Sequence, residues 1–247
     1  MSKGKQRLDK LLGHMGHGSR SEIKAFVKQG RVLVNGKAVK DSGLQVDPEH
    51  DEVVFDGQRV QYREFIYIMM HKPAGVISAT EDAREKTVID LLLPEHAAFA
   101  PFPVGRLDKD TEGLLLLTND GQLAHRLLSP KKHVPKTYFA EIDGRVTEAD
   151  IVQFGEGVTL DDGYKTLPAK LSVIDCREED GWWRSRIELT ITEGKFHQVK
   201  RMFEAVGKKV TYLKRLSMGT LMLDPSLPQG AVRELTDEER NQLGIGM

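Results

Sequence analysis

Residues 105–121 read Gly-Arg-Leu-Asp-Lys-Asp-Thr-Glu-Gly-Leu-Leu-Leu-Leu-Thr-Asn-Asp-Gly. The leucine run 114–117 is bounded by Gly113 on one side and by Asn119-Asp120-Gly121 on the other. A short, unbroken apolar run between turn signals predicts a strand buried on both faces. Such a strand fixes the loop before it, and that loop carries Arg106, Asp108, Asp110 and Glu112 within seven positions. Charged groups on a loop held by a rigid scaffold are well placed for chemistry. The same residues brush against a calcium-loop pattern, with Asp108, Asp110, Glu112 and Gly113 in its first, third, fifth and sixth places. The twelfth place should be a bidentate Glu and is Asn119, with leucines filling the second half, so calcium is not expected.

Working outward, Gln122 to Leu128 predicts a short helix capped by Asn119 or Asp120. Upstream, Ile66 to Met70 predicts a buried strand that ends at His71-Lys72-Pro73-Ala74-Gly75, where Pro73 stops the ladder and Gly75 permits a sharp turn. Downstream, Lys131, Lys132 and Lys136 suit a phosphate path, and Tyr138 opens a further strand, where a tyrosine alone reads as core. Ile187, Leu189 and Ile191 alternate as in a half-buried strand. Glu193-Gly194-Lys195 then turns into a helix with the apolar stripe Phe196, Val199, Met202, Phe203 and Val206, ended by Gly207.

The first 60 residues read as a separate, small module. Leu8, Leu11, Leu12 and Met15 form one helical face, and Ser19 with Glu22 forms a capping box for a second helix carrying Ile23, Phe26 and Val27. Val32 and Val34 lead into Asn35-Gly36, a strong hairpin signal. The polar face carries Arg7, Lys10, Arg20, Lys24, Lys28 and Arg31. From Asp56-Gly57 to Arg63-Glu64 apolar content is low, which predicts a linker, set at 61–65; a larger domain follows over 66–240, with a tail at 241–247.

The whole-chain net charge of −1 conceals two basic patches. Residues 1–40 hold ten Lys or Arg against Asp9 and Glu22, and residues 195–215 hold seven against Glu204. That distribution suits a binder of phosphate backbone. Cys176 stands alone, which excludes a disulfide framework and a cysteine zinc cluster. No apolar run approaches the ~18 residues of a membrane span, and the start of the chain lacks a signal-peptide core. A cytoplasmic protein that does not bind membranes is expected.

The pattern Gly-Arg-Leu-Asp, Thr111, Gly-Leu-Leu-Leu-Leu-Thr and Asp-Gly resembles the signature of the RsuA-type pseudouridine synthases, which isomerise uridines in ribosomal RNA. Lys72-Pro73-x-Gly75, Lys136-x-Tyr138 and Gly-Lys-Phe-His-Gln-Val-Lys-Arg-Met at 194–202 are similar to further family motifs. Many members have Arg at the position of Lys200. Arg-Leu-Asp-Lys-Leu-Leu at 7–12 and Gly-Arg-Val-Leu-Val-Asn-Gly at 30–36 resemble an S4-like RNA-binding domain.

The resemblance implies an α+β chain: an S4-like module, then a synthase domain on a mostly antiparallel mixed sheet with flanking helices. It implies Asp108 as the catalytic aspartate, Tyr138 against the target base and Lys200 as the cation that keeps Asp108 ionised, with Arg201 competing for that role. Arg106, Arg7, Lys10, Arg20, Lys24, Arg31, Lys72, Lys136 and Arg201 are expected to contact RNA, Lys72 through phosphate. Isomerisation needs no metal and no small-molecule cofactor. The expected partner is ribosomal RNA or a pre-ribosomal particle, met by a monomer. Small-subunit (16S) RNA is the first expectation; large-subunit (23S) RNA, or a non-catalytic assembly role, is the alternative.

Overall fold

The computed structural model describes residues 4–245; residues 1–3 and 246–247, from the basic start and the expected tail, lie outside the described residues. Two compact units form, Met1–Ile66 with Leu92–Pro101, and Tyr67–Leu91 with Phe102–Met247. The segment 92–101 therefore packs with the smaller unit, although the expected boundaries put it in the larger one.

The smaller unit runs β1 (Gln6–Arg7), α1 (Leu8–His14), α2 (Arg20–Lys28), β2 (Val32–Val34), β3 (Lys37–Ala38), β4 (Gln45–Val46), β5 (Val53–Phe55) and β6 (Gln58–Arg59), with the short α3 (Pro94–Ala97) from the second segment. Strands pair in the order β3-β2-β5-β6, and β1 pairs with β4. The capping box is present: Glu22 N–H donates to the Ser19 hydroxyl, and Ser19 N–H to the Glu22 carboxylate. Leu8, Leu11, Leu12, Ile23, Val27 and Val32 meet in one core. Residues 56–60 are hairpin rather than linker. Asp56 and Gly57, at φ +49° and +78°, close the β5–β6 turn. An Asp-Gly pair after Val-Val-Phe carries that hairpin signal, which the low apolar content of the stretch obscures.

The larger unit continues with β7 (Tyr67–Lys72), β8 (Phe102–Pro103), β9 (Glu112–Thr118), α4 (Gly121–Leu128), β10 (Lys136–Asp143), α5 (Glu148–Glu156), β11 (Lys170–Glu179), β12 (Trp182–Ile191), α6 (Gln198–Ala205), β13 (Lys209–Met218), β14 (Leu221–Met222), β15 (Val232–Glu234) and α7 (Asp237–Gln242). One sheet has the order β11-β12-β10-β13-β9-β7-β15, with β8 on β9 and β14 on β13. Its pairings are antiparallel apart from β9 with β13. Leu114 to Leu117 are all fully buried, as the run predicts for a central strand. Leu114 and Leu116 face Leu123 and Leu127 of α4, whose first amides are capped by the Asp120 carboxylate. Each such leucine contributes about 1.5–3 kcal/mol through burial. Leu243 and Ile245, expected in a tail, instead pack on this core.

β9 reaches β13 through Gly113, which lies opposite Arg215 at φ +104°. A Cβ at Gly113 would stand 2.2 Å from the Arg215 carbonyl oxygen. Only glycine permits this pairing. Gly113→Ala should therefore cost roughly 2–5 kcal/mol of unfolding free energy, combining positive-φ strain with overpacking. Gly121→Ala, at an exposed helix start with open space around it, should be neutral or slightly stabilising. Urea unfolding of the two variants checks this; equal midpoints would refute the constraint.

Candidate active site

The position of Asp108 follows directly from the anchoring of its loop. Lys72, the last residue of β7, is fully buried. Its ammonium donates to the carbonyls of Pro73 at 3.0 Å, Asp108 at 3.1 Å, Lys109 at 3.4 Å and Thr111 at 2.8 Å. Burial lowers this lysine to about 8, against the opposing pull of Asp110, Asp108 and Glu112. Lys72 is thus not the surface phosphate contact expected from sequence. A strand buried on both faces turns the side chain inward, beneath the loop. Two further ties hold the same loop: Gly75 N–H donates to Lys109 O at 2.8 Å, and Ser78 bonds both backbone groups of Leu107 at 3.0 Å.

The Asp108 side chain, 28% exposed, projects from this loop into a cavity of about 360 Å³. Lys200 reaches it from α6, with Nζ at 3.3 Å from Asp108 Oδ2 and 2.6 Å from Asp110 Oδ1. Burial opposes the charge on Lys200, yet the two carboxylates hold it above the ordinary lysine range. Burial likewise opposes ionisation of Asp110, and Lys200 overrides it to hold that carboxyl low. His197 Nε2 stands 3.6 Å from Asp108 Oδ1. Arg201 points elsewhere. It pairs with Asp161 and Asp162 on the loop after α5 and lies out of the Asp108 cluster. Neighbouring side chains on a helix diverge by about 100°, so only one of the two faces the cavity.

Tyr138, in β10, is buried and lines the cavity between Leu189 of β12 and Arg215 of β13. Arg106 is an exposed lining residue, and Lys136 lines the same wall. Burial lowers Lys136, with a smaller push from Arg215. Arg215 carries no distinguishing signal in the sequence, where it reads as one member of a basic run. It is 2% exposed, its Nε donates to Leu114 O at 2.8 Å, and its Nη2 is buried without a hydrogen-bond partner. A buried guanidinium nitrogen left unpaired at a cavity wall is a ready donor to a ligand oxygen.

The other cavity wall is fastened by Glu193. It accepts from Tyr164 OH at 2.7 Å, from Leu167 N–H at 2.9 Å and from Gln198 Nε2 at 2.8 Å. α6 starts at Gln198, later than the periodicity predicts, because His197 is left-handed at φ +48°. Phe196 is consequently not part of the apolar stripe but 73% exposed.

In the smaller unit, Lys10, Arg20, Lys24 and Lys28 are exposed. Arg7 pairs with Asp9, and Arg31 pairs with Asp56 while its guanidinium lies over Phe26 at 4.2 Å. No helix among the described residues is long and apolar enough to cross a membrane.

Comparison with known proteins finds two family models. Residues 66–205 match RNA pseudouridylate synthase and residues 6–53 match the S4 domain. The chain is 58% identical to an uncharacterized RNA pseudouridine synthase of Bacillus subtilis, covering 96% of this chain and 98% of the relative. It is 40% identical to the ribosomal large subunit pseudouridine synthase B of B. subtilis, over 96% of this chain and 95% of the relative. It is also 40% identical to the ribosomal small subunit pseudouridine synthase A of Yersinia pestis, over 96% of this chain and 98% of the relative. A crystal structure of a pseudouridylate synthase superposes with a TM-score of 0.66 at 38% identity, over 96% of this chain and 99% of the other.

The Lys72 anchor yields a test of its own. Lys72→Met keeps the length of the side chain and removes the donor shared by four carbonyls. Unfolding free energy should fall by roughly 1–3 kcal/mol, and the salt dependence of RNA binding should stay as in the wild type. A variant of unchanged stability with a flatter salt slope would restore the phosphate-contact role.

Proposed function

The chain belongs to the RNA pseudouridylate synthase family, as an RsuA-type enzyme with an N-terminal S4 domain, and on that premise we propose that it modifies small-subunit (16S) ribosomal RNA with Asp108, Tyr138 and Lys200 as its catalytic groups. The enzyme is an isomerase converting uridine to pseudouridine. The reaction breaks the N1–C1′ bond, turns the uracil and joins C5 to C1′; the proton on C5 leaves and N1 gains one. The observation that carries the assignment is the ion pair of Lys200 with Asp108 at 3.3 Å, inside a cavity large enough for a flipped nucleotide.

A target uridine must leave its stack to reach such a cavity. Asp108 acts at the sugar, by attack on C1′ or by moving a proton there, and both courses need the ionised carboxylate. Lys200 supplies the compensating charge. Tyr138 offers an aromatic face to a base that has lost its stacking neighbours. Arg215 Nη2, unpaired on the wall, can donate to a uracil carbonyl or a phosphate oxygen.

The small-subunit reading is supported by the relation to the Y. pestis enzyme; the equal relation to the B. subtilis large-subunit enzyme makes large-subunit (23S) RNA the alternative. Mapping pseudouridines in both ribosomal RNAs from cells lacking the protein separates them. Loss of a 16S site supports the proposal, and loss of a 23S site overturns it.

Asp108→Asn should abolish pseudouridine formation while RNA binding persists. Lys200→Met should lower turnover at saturating RNA roughly ten- to hundredfold, since a charged hydrogen bond contributes about 1.5–3 kcal/mol. Arg201→Met, which removes the pair with Asp161 and Asp162, should lower turnover less. Single-turnover rates check the series; a larger loss in Arg201→Met than in Lys200→Met would reverse the assignment.

We assign RNA capture to the S4 domain's exposed cations. Replacing Lys10, Arg20 and Lys24 together by Ala should flatten the log–log salt dependence of binding by roughly 0.7–0.9 for each phosphate no longer neutralised. An unchanged slope would show that these side chains do not meet phosphate.

A further inference from the structure

Arg215 is the largest of the fully buried side chains, at 2% exposed. Its Nε is accounted for by Leu114 O at 2.8 Å, a bond that ties β13 to β9. Its Nη2 is buried without a hydrogen-bond partner, and no carboxylate among the described residues pairs with the guanidinium. A cation taken out of water without a counter-charge is costly, and packing alone gives no reason to keep one. The charge is felt nearby, since burial lowers the proton affinity of Lys136 and Arg215 adds to the effect. Two features of the strands aim it. Tyr138 and Arg215 are direct partners in the antiparallel pair β10–β13, so their side chains leave the sheet on the same face, with Cβ atoms about 5 Å apart. β13 also carries one extra residue, Leu216, at the step between Thr137 and Tyr138, a bulge of the kind that re-aims side chains beside active sites. Tyr138 and Arg215 both line the cavity that Asp108 enters.

We propose that Arg215 is a catalytic residue that stabilises the negative charge on the uracil ring as it leaves C1′. This rests on the pseudouridine synthase reading of the cavity. When the N1–C1′ bond breaks, its electron pair stays with N1 and spreads over the ring to O2 and O4. Asp108 makes up the deficit at the sugar, and the pair is returned when C5 bonds to C1′; the C5 proton then leaves and N1 gains one. Arg215 exchanges no proton in this sequence. It meets a neutral base in the bound uridine and an anionic one in the transition state, so its donors bind more strongly as the reaction proceeds. A fixed donor held away from water and aimed at developing charge is the arrangement that accelerates such a step most. Position favours the uracil anion over a phosphate as the partner. Arg215 lies beside Tyr138 and is closed to bulk water, whereas Arg106 and Lys195, the lining cations suited to phosphate, are exposed. Lys136, the other cation on that wall, already donates to Val134 O at 3.0 Å. A guanidinium also offers a planar fork, which matches an anion whose charge lies along the edge of a flat ring.

The test varies the leaving base. The full-length enzyme is given an RNA fragment bearing the uridine that the mapping identifies, or the same fragment with 5-fluorouridine at that position. Single-turnover loss of the N-glycoside is followed by chromatography of the digested nucleosides, and affinity is measured beside it. Arg215→Gln should slow the step on uridine roughly hundred- to thousandfold, as when a donor to a developing oxyanion is removed. Fluorine draws charge from the ring, so the departing base needs the donor less, and the loss on 5-fluorouridine should shrink to roughly a tenth of that on uridine. The quantity read is the ratio of the two rates within one preparation, from which the folded fraction cancels. Arg215→Lys, the less disruptive replacement, is read in the same way, with a smaller change in the ratio because one ammonium replaces the fork. A ratio equal to that of the wild type in both variants shows that Arg215 does not sense the charge of the leaving base and overturns the proposal. Weakened affinity with unchanged single-turnover rates makes Arg215 a phosphate contact and overturns it too, while the catalytic reading stands. A wild-type enzyme inactive on the uridine fragment overturns the catalytic reading and this proposal with it.

Discussion

A single buried ammonium governs where the chemistry of this enzyme can occur. Lys72 sits at the end of a strand buried on both faces and meets four carbonyl oxygens, three of them in the loop that carries Asp108. Carbonyls without donors are expensive in a dry interior, and a lysine without acceptors is more so. Neither partner is stable there alone. The loop therefore has one arrangement in which both are satisfied, and that arrangement points Asp108 outward. The lowered proton affinity of Lys72 records the cost of the burial, against the pull of Asp110, Asp108 and Glu112.

The same logic recurs at Arg215, on the far side of Gly113. There the guanidinium lies under the cavity with one nitrogen bonded to Leu114 O and another unpaired. Lys72 and Arg215 thus bracket β9 with two buried cations, while Asp108, Asp110 and Glu112 lie on or beside the same strand. Glu112 is engaged by Tyr212 OH at 2.6 Å, which with burial raises that phenol above its ordinary range. Asp110 shares Lys200 with Asp108. Of the three carboxylates, only Asp108 combines a position on the cavity wall with a side chain largely withdrawn from water. The neighbouring acids keep Lys200 charged and in reach, so the pair is better described as a three-member cluster than as one salt bridge.

Much of this was legible in residues 105–121, since a leucine run flanked by glycine and Asn-Asp-Gly can be little other than a buried central strand. The Ser19–Glu22 capping box and the Asn35-Gly36 hairpin were equally local: the first is closed between its own two residues, and the second needs only that Asn35 and Gly36 both take positive φ. What escaped the sequence depended on partners far along the chain. Lys72 reads as a basic residue before a turn until the loop 36 residues later is laid over it. Arg215 reads as part of a basic run until Leu114 O claims its Nε. Phe196 fits a helical apolar stripe until one left-handed residue, His197, delays the helix start and swings the ring into solvent. Periodicity cannot register a single residue's change of backbone region.

The division of the basic residues explains how a chain of net charge −1 can serve an RNA substrate. Charge is of use to a phosphate only where it is not already neutralised within the fold. Arg7, Arg31 and Arg201 each have a carboxylate partner and shape their own surroundings. Lys72 is enclosed by carbonyls, and Lys200 is taken up by Asp108 and Asp110. Lys10, Arg20, Lys24 and Lys28 remain exposed in the smaller unit, as do Arg106 and Lys195 on the cavity lining and Lys131 and Lys132 in the chain between the lining residues Pro130 and His133. Four of the acidic residues, Asp108, Asp110, Asp161 and Asp162, are spent on holding Lys200 and Arg201. Long-range attraction is left to the exposed set, and at the reacting centre Lys200 is held between the carboxylates of Asp108 and Asp110, where its charge serves the site rather than a distant phosphate.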